Sequence, residues 1–222
     1  MEIAPLLSVG RGVTAIIGSG GKTTLLYTLA EELKEKGKVI ICTTTRIRIP
    51  DRYQTVTGGV KEILSAMEDN DVVCAGTPAE SGKIGTSSVT FEELTGMADY
   101  VLTEADGSRG LPLKAHAGYE PVIPEIAESV IHLIGADGIG GIVSEVCHRP
   151  ELWTEITGGF LQDRVTPDDI AHVIDTEDLG GRYFINKVDD GKISIRAEEL
   201  AALLPGPVVM GSLQKGEYSK WE

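Results

Sequence analysis

Cysteine is scarce in this 222-residue sequence, which has three cysteines and no Cys-x-x-Cys pair. Cys42, Cys74 and Cys147 lie far apart, so the sequence indicates neither a disulfide framework nor a cysteine-rich zinc site. The four histidines are not grouped with the cysteines at the spacing of a preformed zinc site. Because Cys42, Cys74 and His132 stand within apolar runs, we predict that all three are core residues.

Basic residues are also few, with 20 Lys and Arg against 34 Asp and Glu and a net charge of −14. Such a chain gains little from counterion release, which argues against nucleic acid or an anionic membrane as a partner. Any bound phosphate must be held locally, by backbone amides and one or two cations. No apolar run approaches the roughly 18 residues of a membrane span. No basic region precedes the first apolar residues, so no signal peptide is predicted and we expect a cytoplasmic protein.

Short apolar runs alternate with amphipathic segments along the chain. Apolar strands separated by helices are typical of a mostly parallel sheet that is covered on both faces. We therefore predict a three-layer α/β fold with P-loop NTPase-like architecture, formed by a single nucleotide-binding domain over residues 1–222. The predicted strands are Val13–Ile17, Val39–Thr43, Val72–Ala75, Tyr100–Thr103, Ser129–Ile134, Tyr183–Ile185 and Val208–Met210. The predicted helices are Thr23–Lys36, Val60–Met67, Phe91–Met97, Glu151–Ile156, Pro167–Ile174 and Ala197–Leu204.

Two segments do not fit this alternation. Residues 76–88, GTPAESGKIGTSS, are rich in turn formers and predict a loop or a small hairpin. Residues 106–124 contain three prolines and few helix signals. Long loops within compact domains are usually functional or disordered. The mixture of charged and apolar side chains in residues 106–124 favours a functional loop.

A glycine cluster lies between the first strand and the first long helix. This context allows backbone amides to surround a phosphate at the positive end of a helix. Lys22 is predicted to contact the terminal phosphates, and the Thr23 hydroxyl to bind Mg²⁺. The spacing departs from G-x-x-x-x-G-K-[ST], because Ile16 stands where glycine is expected, and it resembles the shorter loop of Mur-type peptide ligases. The alternative is a turn that binds nothing. The candidate phosphate-binding residues are Gly18, Ser19, Gly20, Gly21, Lys22, Thr23 and Thr24.

A second nucleotide motif, Asn-Lys-x-Asp, follows a late apolar strand at Asn186, Lys187 and Asp189. An aspartate there accepts hydrogen bonds from the ring N–H and the amino group of guanine, and adenine lacks both donors at those positions. The lysine stem covers the base, and the asparagine joins neighbouring loops. The motif therefore favours GTP over ATP. The alternative is a β-hairpin that turns at Asp190-Gly191.

Two carboxylates end the strand that runs from Tyr100. Glu104 or Asp106 would face the Mg²⁺ of a bound nucleotide, although the sequence leaves open which one does. Glu104-x-x-Gly107 also has the spacing of a switch glycine that contacts a γ-phosphate. The alternative is a pair of solvated acids at a turn. Three threonines at positions 43–45 end another strand, where they either add a hydroxyl ligand or serve only as strand formers.

Five stretches, taken in order, resemble the YqeC family: GSGGKTT, CTTTRI, TEADGSRGLPLKAHAGYEPVIP, CHRPELW and FINKVD. Its members are described as accessory proteins of selenium-dependent hydroxylases. The resemblance covers nearly the whole chain, and it implies a P-loop NTPase associated with the maturation of molybdenum hydroxylases. A client hydroxylase, or its maturation machinery, is therefore an expected partner. The residues in the characteristic loops of the family, which we expect to meet a substrate or partner, are Lys114, His116, Glu120, His148 and Arg149.

Three function classes remain open at this stage. The first is a GTP hydrolase that acts on a client protein, as in the metallocofactor-insertion GTPases that Glu104-x-x-Gly107 and Asn-Lys-x-Asp resemble. The second is a small-molecule kinase or ligase that uses ATP or GTP. The third is a binding module without turnover. In the first two, Lys22 and Mg²⁺ would stabilise the transferred phosphoryl group, Glu104 or Asp106 would orient the attacking group, and Arg109 would complete the site.

Overall fold

The computed structural model of the protein describes residues 2–221, which form eight α-helices and fourteen strands. The strands are β1 (Gly12–Gly18), β2 (Val39–Thr43), β3 (Arg46–Arg48), β4 (Gln54–Val56), β5 (Val72–Ala75), β6 (Thr77–Ala79), β7 (Lys83–Gly85), β8 (Tyr100–Glu104), β9 (Leu113–Lys114), β10 (Ala127–Gly135), β11 (Cys147–His148), β12 (Arg182–Asn186), β13 (Val208–Ser212) and β14 (Glu217–Lys220). The helices are α1 (Ile3–Leu6), α2 (Lys22–Leu33), α3 (Val60–Asp69), α4 (Phe91–Thr95), α5 (Val143–Val146), α6 (Pro150–Thr157), α7 (Pro167–Glu177) and α8 (Gly191–Leu203).

A nine-stranded sheet takes strands from almost the whole length of the chain, in the order β14-β13-β12-β10-β1-β8-β2-β5-β4. All neighbouring strands are parallel except β14, which pairs antiparallel with β13 at one edge. All seven predicted strands belong to this sheet, and the predicted mostly parallel sheet is confirmed. Because β1 lies at its centre, the loop that follows β1 emerges at the middle of the carboxyl edge.

Helices cover both faces of the sheet, as the unalternated apolar strands predict. On one face, Ile16, Leu102 and Phe184 pack in a core with α1 and α2. On the other face, Val101 packs in a core with α3 and α4, and Ile185 packs in a core with α6, α7 and α8. Neighbouring residues of a strand alternate between these cores because successive side chains point to opposite faces. The predicted three-layer α/β architecture is confirmed.

The predicted helices are all present, and the largest difference in start is that of the last helix. We predicted the last helix from Ala197, but α8 begins at Gly191. The carboxylate of Asp190 accepts hydrogen bonds from the backbone N–H groups of Lys192 and Ile193, both at 2.9 Å. Asp190 therefore caps a helix instead of turning a hairpin. The hairpin alternative for the Asn-Lys-x-Asp segment is wrong.

A small three-stranded sheet, in the order β3-β7-β6, follows the ends of β2 and β5. Its β6–β7 hairpin confirms the small hairpin predicted within residues 76–88. Ile47 and Ile84 bury one face of this small sheet against the main core. The small sheet therefore sits beside the carboxyl edge of the large one.

The predicted core residues Cys42, Cys74 and His132 are buried, and so is Cys147. Burial raises the pKa of each cysteine thiol to about 12, so these groups stay neutral. Within residues 2–221, none of the helices combines the length and the apolar character that crossing a bilayer requires.

Candidate functional site

The glycine cluster forms a tight loop between β1 and α2, where the sequence predicts it. Gly18, Gly20 and Gly21 have φ angles of +86°, +96° and +123°, a region that other residues rarely adopt. A Cβ atom at position 20 would lie 2.4 Å from the backbone nitrogen of Gly135. The glycines are therefore required by the backbone conformation and by close packing against the neighbouring strand end.

The backbone amides of this loop divide into two groups. Gly18 N–H donates to Oδ2 of Asp106 at 2.8 Å, and Ser19 N–H donates to the carbonyl of Leu133 at 2.9 Å. The structure thus differs from the expectation that the Gly18 amide faces a phosphate, because a buried carboxylate already accepts its hydrogen bond. The amides of residues 22–24, at the start of α2, receive no acceptor from residues 2–221. These amides remain available to an anion at the positive end of the helix.

The side chain of Lys22 lies back over this loop, and Lys22 is only 3% exposed. Its ammonium donates to the carbonyl of Gly18 at 2.6 Å and lies 3.0 Å from Oδ1 of Asp106. Oε1 of Glu104 is farther away, at 3.9 Å. Lys22 is therefore held by its own loop, which we call the glycine loop (residues 18–24), and by a buried carboxylate.

Glu104 ends β8 between the ends of β1 and β2, in register with Ile16 and Thr43. Its Oε2 accepts a hydrogen bond of 2.9 Å from the Thr23 hydroxyl. Burial raises the pKa of Glu104 above its usual value, against the lowering effect of the Lys22 charge. A hydroxyl and a carboxylate side by side are the hard oxygen donors that Mg²⁺ prefers. The Thr43 hydroxyl instead donates to the Glu104 carbonyl at 2.8 Å and fixes the strand end.

Asp106 lies on the other side of the lysine and is fully buried. Its Oδ2 lies 2.7 Å from Nε2 of His116 and 3.3 Å from Nζ of Lys114, in addition to the Gly18 amide. Burial acts to raise the pKa of Asp106. The hydrogen bond from His116 and the charges of Lys22 and Lys114 outweigh burial, and the pKa lies well below its usual range. Asp106 is therefore an ionised carboxylate surrounded by cations.

His116 connects Asp106 to α7. Its Nδ1 lies 2.7 Å from Oε2 of Glu177, and its backbone N–H donates to Oε1 of the same residue. Burial acts to lower the pKa of His116, but the hydrogen bonds to Asp106 and Glu177 raise it above the usual value. Because both ring nitrogens face carboxylates, a doubly protonated imidazolium satisfies both contacts. No local pattern pointed to Glu177, which lies at the end of an amphipathic helix 61 positions away from His116.

Three other candidate residues of the characteristic loops, Lys114, Glu120 and Arg149, form a connected group of ion pairs. Nζ of Lys114 lies 2.9 Å from Oε1 of Glu120, which also accepts a hydrogen bond of 2.8 Å from Nε of Arg149. His148 is paired in register with Lys114 between β11 and β9. The structure therefore brings Lys114, Glu120, His148 and Arg149 together. Arg109 is not brought in, since it is exposed, has a φ of +52° and forms no ion pair within the described chain.

The Asn-Lys-x-Asp segment begins at the last residue of β12 and contacts the glycine loop directly. Nδ2 of Asn186 donates to the carbonyl of Gly20 at 2.7 Å, and its Oδ1 accepts from the backbone N–H of Leu213 at 3.0 Å. The ammonium of Lys187 pairs with Asp137 at 2.7 Å. The carboxylate of Asp189 is exposed and has no hydrogen-bond partner within residues 2–221. Asn186 thus joins the two predicted nucleotide motifs and the loop after β13.

The structure confirms the prediction that His132 is a core residue. His132 is 5% exposed, and burial lowers its pKa to about 3, so the ring is neutral. Its ring lies 5.7 Å from that of His116 in an edge-on arrangement. The two histidines, close in space, therefore have pKa values shifted in opposite directions, because only His116 has carboxylate partners.

Comparison with known proteins places these features in a family. The family model described as "YqeC protein" matches residues 14–151, which include the glycine loop and the segments that contain Lys114, Glu120 and Arg149. "Uncharacterized protein YqeC" of Escherichia coli (strain K12) is 35% identical over 165 residues, covering 70% of this chain and 62% of that relative. The chain thus spans less than two thirds of the length of this relative. The signal recognition particle 54 kDa protein from Aeropyrum pernix K1, solved in complex with GDP, is structurally similar with a TM-score of 0.43 and 13% identity, over 96% of this chain and 44% of that one. On the family match and the sequence identity together, the chain belongs to the YqeC family.

Proposed function

We propose that the protein binds and hydrolyses a nucleoside triphosphate, GTP in preference to ATP, at the carboxyl edge of the sheet. The observation that carries this proposal is the contact of Asn186 with both the Gly20 carbonyl and the Leu213 amide. This side chain holds the segment that would read the base at a fixed position relative to the loop that would bind the phosphates.

Guanine recognition rests on Asp189 and Lys187. The Asp189 carboxylate is exposed beside the loop that follows β13, and its backbone carbonyl accepts a hydrogen bond of 2.6 Å from Nζ of Lys215. An exposed carboxylate is free to accept the two N–H donors of guanine. The ammonium of Lys187 pairs with Asp137, which orients the lysine stem for packing against a base.

The donor set at Thr23 and Glu104 fits Mg²⁺, and we assign the metal to these two residues. Asp106, the other candidate, contacts four nitrogen donors and no hydroxyl of α2, so its environment suits cations of the chain itself. Bound Mg²⁺ would neutralise charge on the terminal phosphates. Lys22 and the amides of residues 22–24 would bind the same phosphates, while Asp106 positions Lys22 and the Gly18 amide.

These positions indicate which residue would orient the group that attacks the terminal phosphate. Glu104 lies beside Thr23, so it is the carboxylate that would orient a water molecule or an acceptor near the terminal phosphate. Arg109 stays a candidate for a cation that completes the site when residues 107–111 move. If Arg109 has this role, Arg109→Ala should lower turnover with little effect on nucleotide affinity, and full turnover in this variant would exclude it.

We place the protein in the maturation of selenium-dependent molybdenum hydroxylases, as an accessory factor with a hydroxylase client or its maturation machinery as partner. This part of the proposal is supported by the family resemblance of the loops that contain Lys114, His116 and Glu120. These residues connect the lysine of the phosphate loop to the surface at Arg149, which suits a protein that couples nucleotide state to a partner.

Calorimetric titration of GTP and of ATP, each with Mg²⁺, tests the nucleotide proposal. We expect GTP to bind more tightly than ATP. Asp189→Asn should weaken the binding of GTP by about 10- to 100-fold, which is the effect of a lost charge-assisted hydrogen bond, and should leave the affinity for ATP unchanged. Asp175→Asn, which removes an exposed carboxylate from α7, is the matched control. Equal affinities that neither variant changes would refute guanine recognition. Phosphate release that requires an added acceptor would instead identify a kinase or ligase, and binding without release would identify a module without turnover.

A further inference from the structure

Basic side chains are concentrated on the exposed face of the small sheet. Arg46 and Arg48 alternate with the buried Ile47 in β3, so both point away from the core. The register pairs Arg48 with Lys83 of β7, which places the two like charges directly opposite each other on the same face. We refer to Arg46, Arg48 and Lys83 as the basic face.

The basic face has no internal charge compensation. Within residues 2–221, none of its three side chains forms an ion pair, although the whole chain carries a net charge of −14. Like charges directly opposite each other in adjacent strands are destabilising. This small sheet therefore keeps a repulsive pair of cations, and an external anion bound on this face would relieve the repulsion.

An open cavity of about 710 Å³ lies beside one end of this face, and Arg46 is the member of the basic face that lines it. Its volume falls within the range of roughly 300–1,000 Å³ that is typical of small-molecule sites. Arg46 supplies a guanidinium, which can contact two oxygens of a phosphate group at once. The neighbouring lining residues supply hydroxyls and one carboxylate, and they are Thr45, Thr77, Glu80 and Thr86.

The cavity adjoins the carboxyl edge of the large sheet. The backbone N–H of Thr45, which lines the cavity, donates to the Thr43 hydroxyl at 3.0 Å. The same hydroxyl donates to the carbonyl of Glu104 at 2.8 Å. Two hydrogen bonds thus connect the cavity wall to the residue that we assign to the metal.

We propose that the basic face and this cavity bind a small molecule that carries a phosphate group, as the second ligand of the protein. Anion binding by this face does not depend on the nucleotide site, whereas its role as a second-substrate site rests on the proposed function. The size of the cavity favours a small molecule over an acidic protein segment, which would need a longer surface than three-residue strands provide.

Pyrophosphate is the probe for the test, and a nitrogen-15 NMR titration of the wild-type protein reports where it binds. We expect saturable shifts at the amides of Thr45, Arg46, Gly85 and Thr86. Arg46→Gln/Lys83→Gln should raise the Kd at this site about tenfold or more, because the variant removes the guanidinium that lines the cavity and a second cation of the same face. Lys61→Gln/Lys220→Gln removes the same charge from exposed positions on α3 and β14 and should leave the Kd within about twofold, since distant surface charges are screened.

Two further variants separate binding from folding. Glu80→Gln should tighten pyrophosphate binding, because it removes the carboxylate from the cavity wall. Arg48→Gln should weaken binding while raising Tm, because the repulsion with Lys83 disappears. A loss of binding accompanied by a lower Tm in Arg48→Gln would mean that the side chain is structural.

Three outcomes would overturn the proposal. Shifts confined to residues 20–24 would mean that pyrophosphate binds only the phosphate loop. Equal weakening in both double variants would mean unspecific attraction. Binding of a polyglutamate peptide without binding of pyrophosphate would identify an acidic protein as the partner. GTP should bind Arg46→Gln/Lys83→Gln as it binds the wild type, and failure of GTP to bind the wild type would refute the nucleotide site while the pyrophosphate result still stands.

Discussion

Replacing Asp106 by asparagine removes a buried negative charge that touches Lys22, Lys114 and His116 together. Asparagine keeps an acceptor for the Gly18 amide, but its NH₂ group must then face donors of the surrounding cations. The variant changes no volume, so its effect reports charge and hydrogen bonding. Asp106→Asn therefore tests whether this buried carboxylate compensates the cations around it.

The size of the effect follows from burial. Asp106 and Lys114 have fully buried side chains, and that of Lys22 is 3% exposed. Removing one partner of a buried ion pair costs about 3–5 kcal/mol, because the remaining charge stays desolvated. For a chain of this length, each kcal/mol corresponds to a Tm change of roughly 2–4 °C. We therefore expect Tm to fall by about 6–20 °C, by combination of these two ranges.

Calorimetry of the nucleotide-free protein measures this change, with Asp175→Asn as the control expected to stay within about 0.5 kcal/mol of the wild type. Addition of GTP and Mg²⁺ should then raise the Tm of Asp106→Asn by more than it raises that of the wild type. The reason is that phosphate oxygens give Lys22 a new anionic partner, which the wild-type lysine already has. A Tm loss of less than about 2 °C in Asp106→Asn would refute the reasoning, because removing a carboxylate that compensates buried cations must lower the stability by more than this.

Three further predictions concern the residues around this carboxylate. Asn186→Ala should lower the free energy of unfolding by about 2–4 kcal/mol, because one buried and one partly buried hydrogen bond are lost and their partners stay unsatisfied. Denaturant unfolding measures this, and an unchanged midpoint would contradict it. The raised pKa of His116 means that its stabilising contribution is complete below pH 6.5 and is lost as the pH rises through the raised value. His116→Gln should flatten this decline of Tm with pH, and an equal decline in the variant would assign it to another group. Gly20→Ala should weaken nucleotide binding and lower Tm, because a Cβ atom at a φ of +96° would lie 2.4 Å from the Gly135 nitrogen; calorimetry of both properties checks this.

The main sheet was predictable because its strands are short apolar runs bounded by turn residues. Burial on both faces leaves this signature in local sequence. The start of α7 was predictable for a similar reason, since Thr166 caps the helix by accepting a hydrogen bond from Asp169 N–H at 3.1 Å. The start of α8 was missed because Asp190-Gly191 is equally typical of a tight turn and of a helix cap.

The site was predictable only in part. The glycine loop and the contact of Asn186 with it involve short contiguous motifs, so both segments could be selected as candidates from the sequence. Glu177 was not identified, since its contact with His116 depends on how α7 packs against the loop. The basic face was missed because Arg-Ile-Arg indicates alternation, but not that Lys83 lies opposite Arg48. Antiparallel register decides that pairing.

The sequence by itself determined the layers of the fold, the glycine loop and the residue types available at the carboxyl edge, because these depend on neighbours within a few positions. Tertiary structure alone decided the different roles of Glu104 and Asp106. If the strand continued beyond Glu104, the side chains of Glu104 and Asp106 would lie on the same face of the sheet, because the two residues are two positions apart. Since β8 ends at Glu104, the chain turns, and the two carboxylates separate, one beside the Thr23 hydroxyl and the other among buried cations. The chain direction after a strand is set by long-range packing, which no local pattern contains.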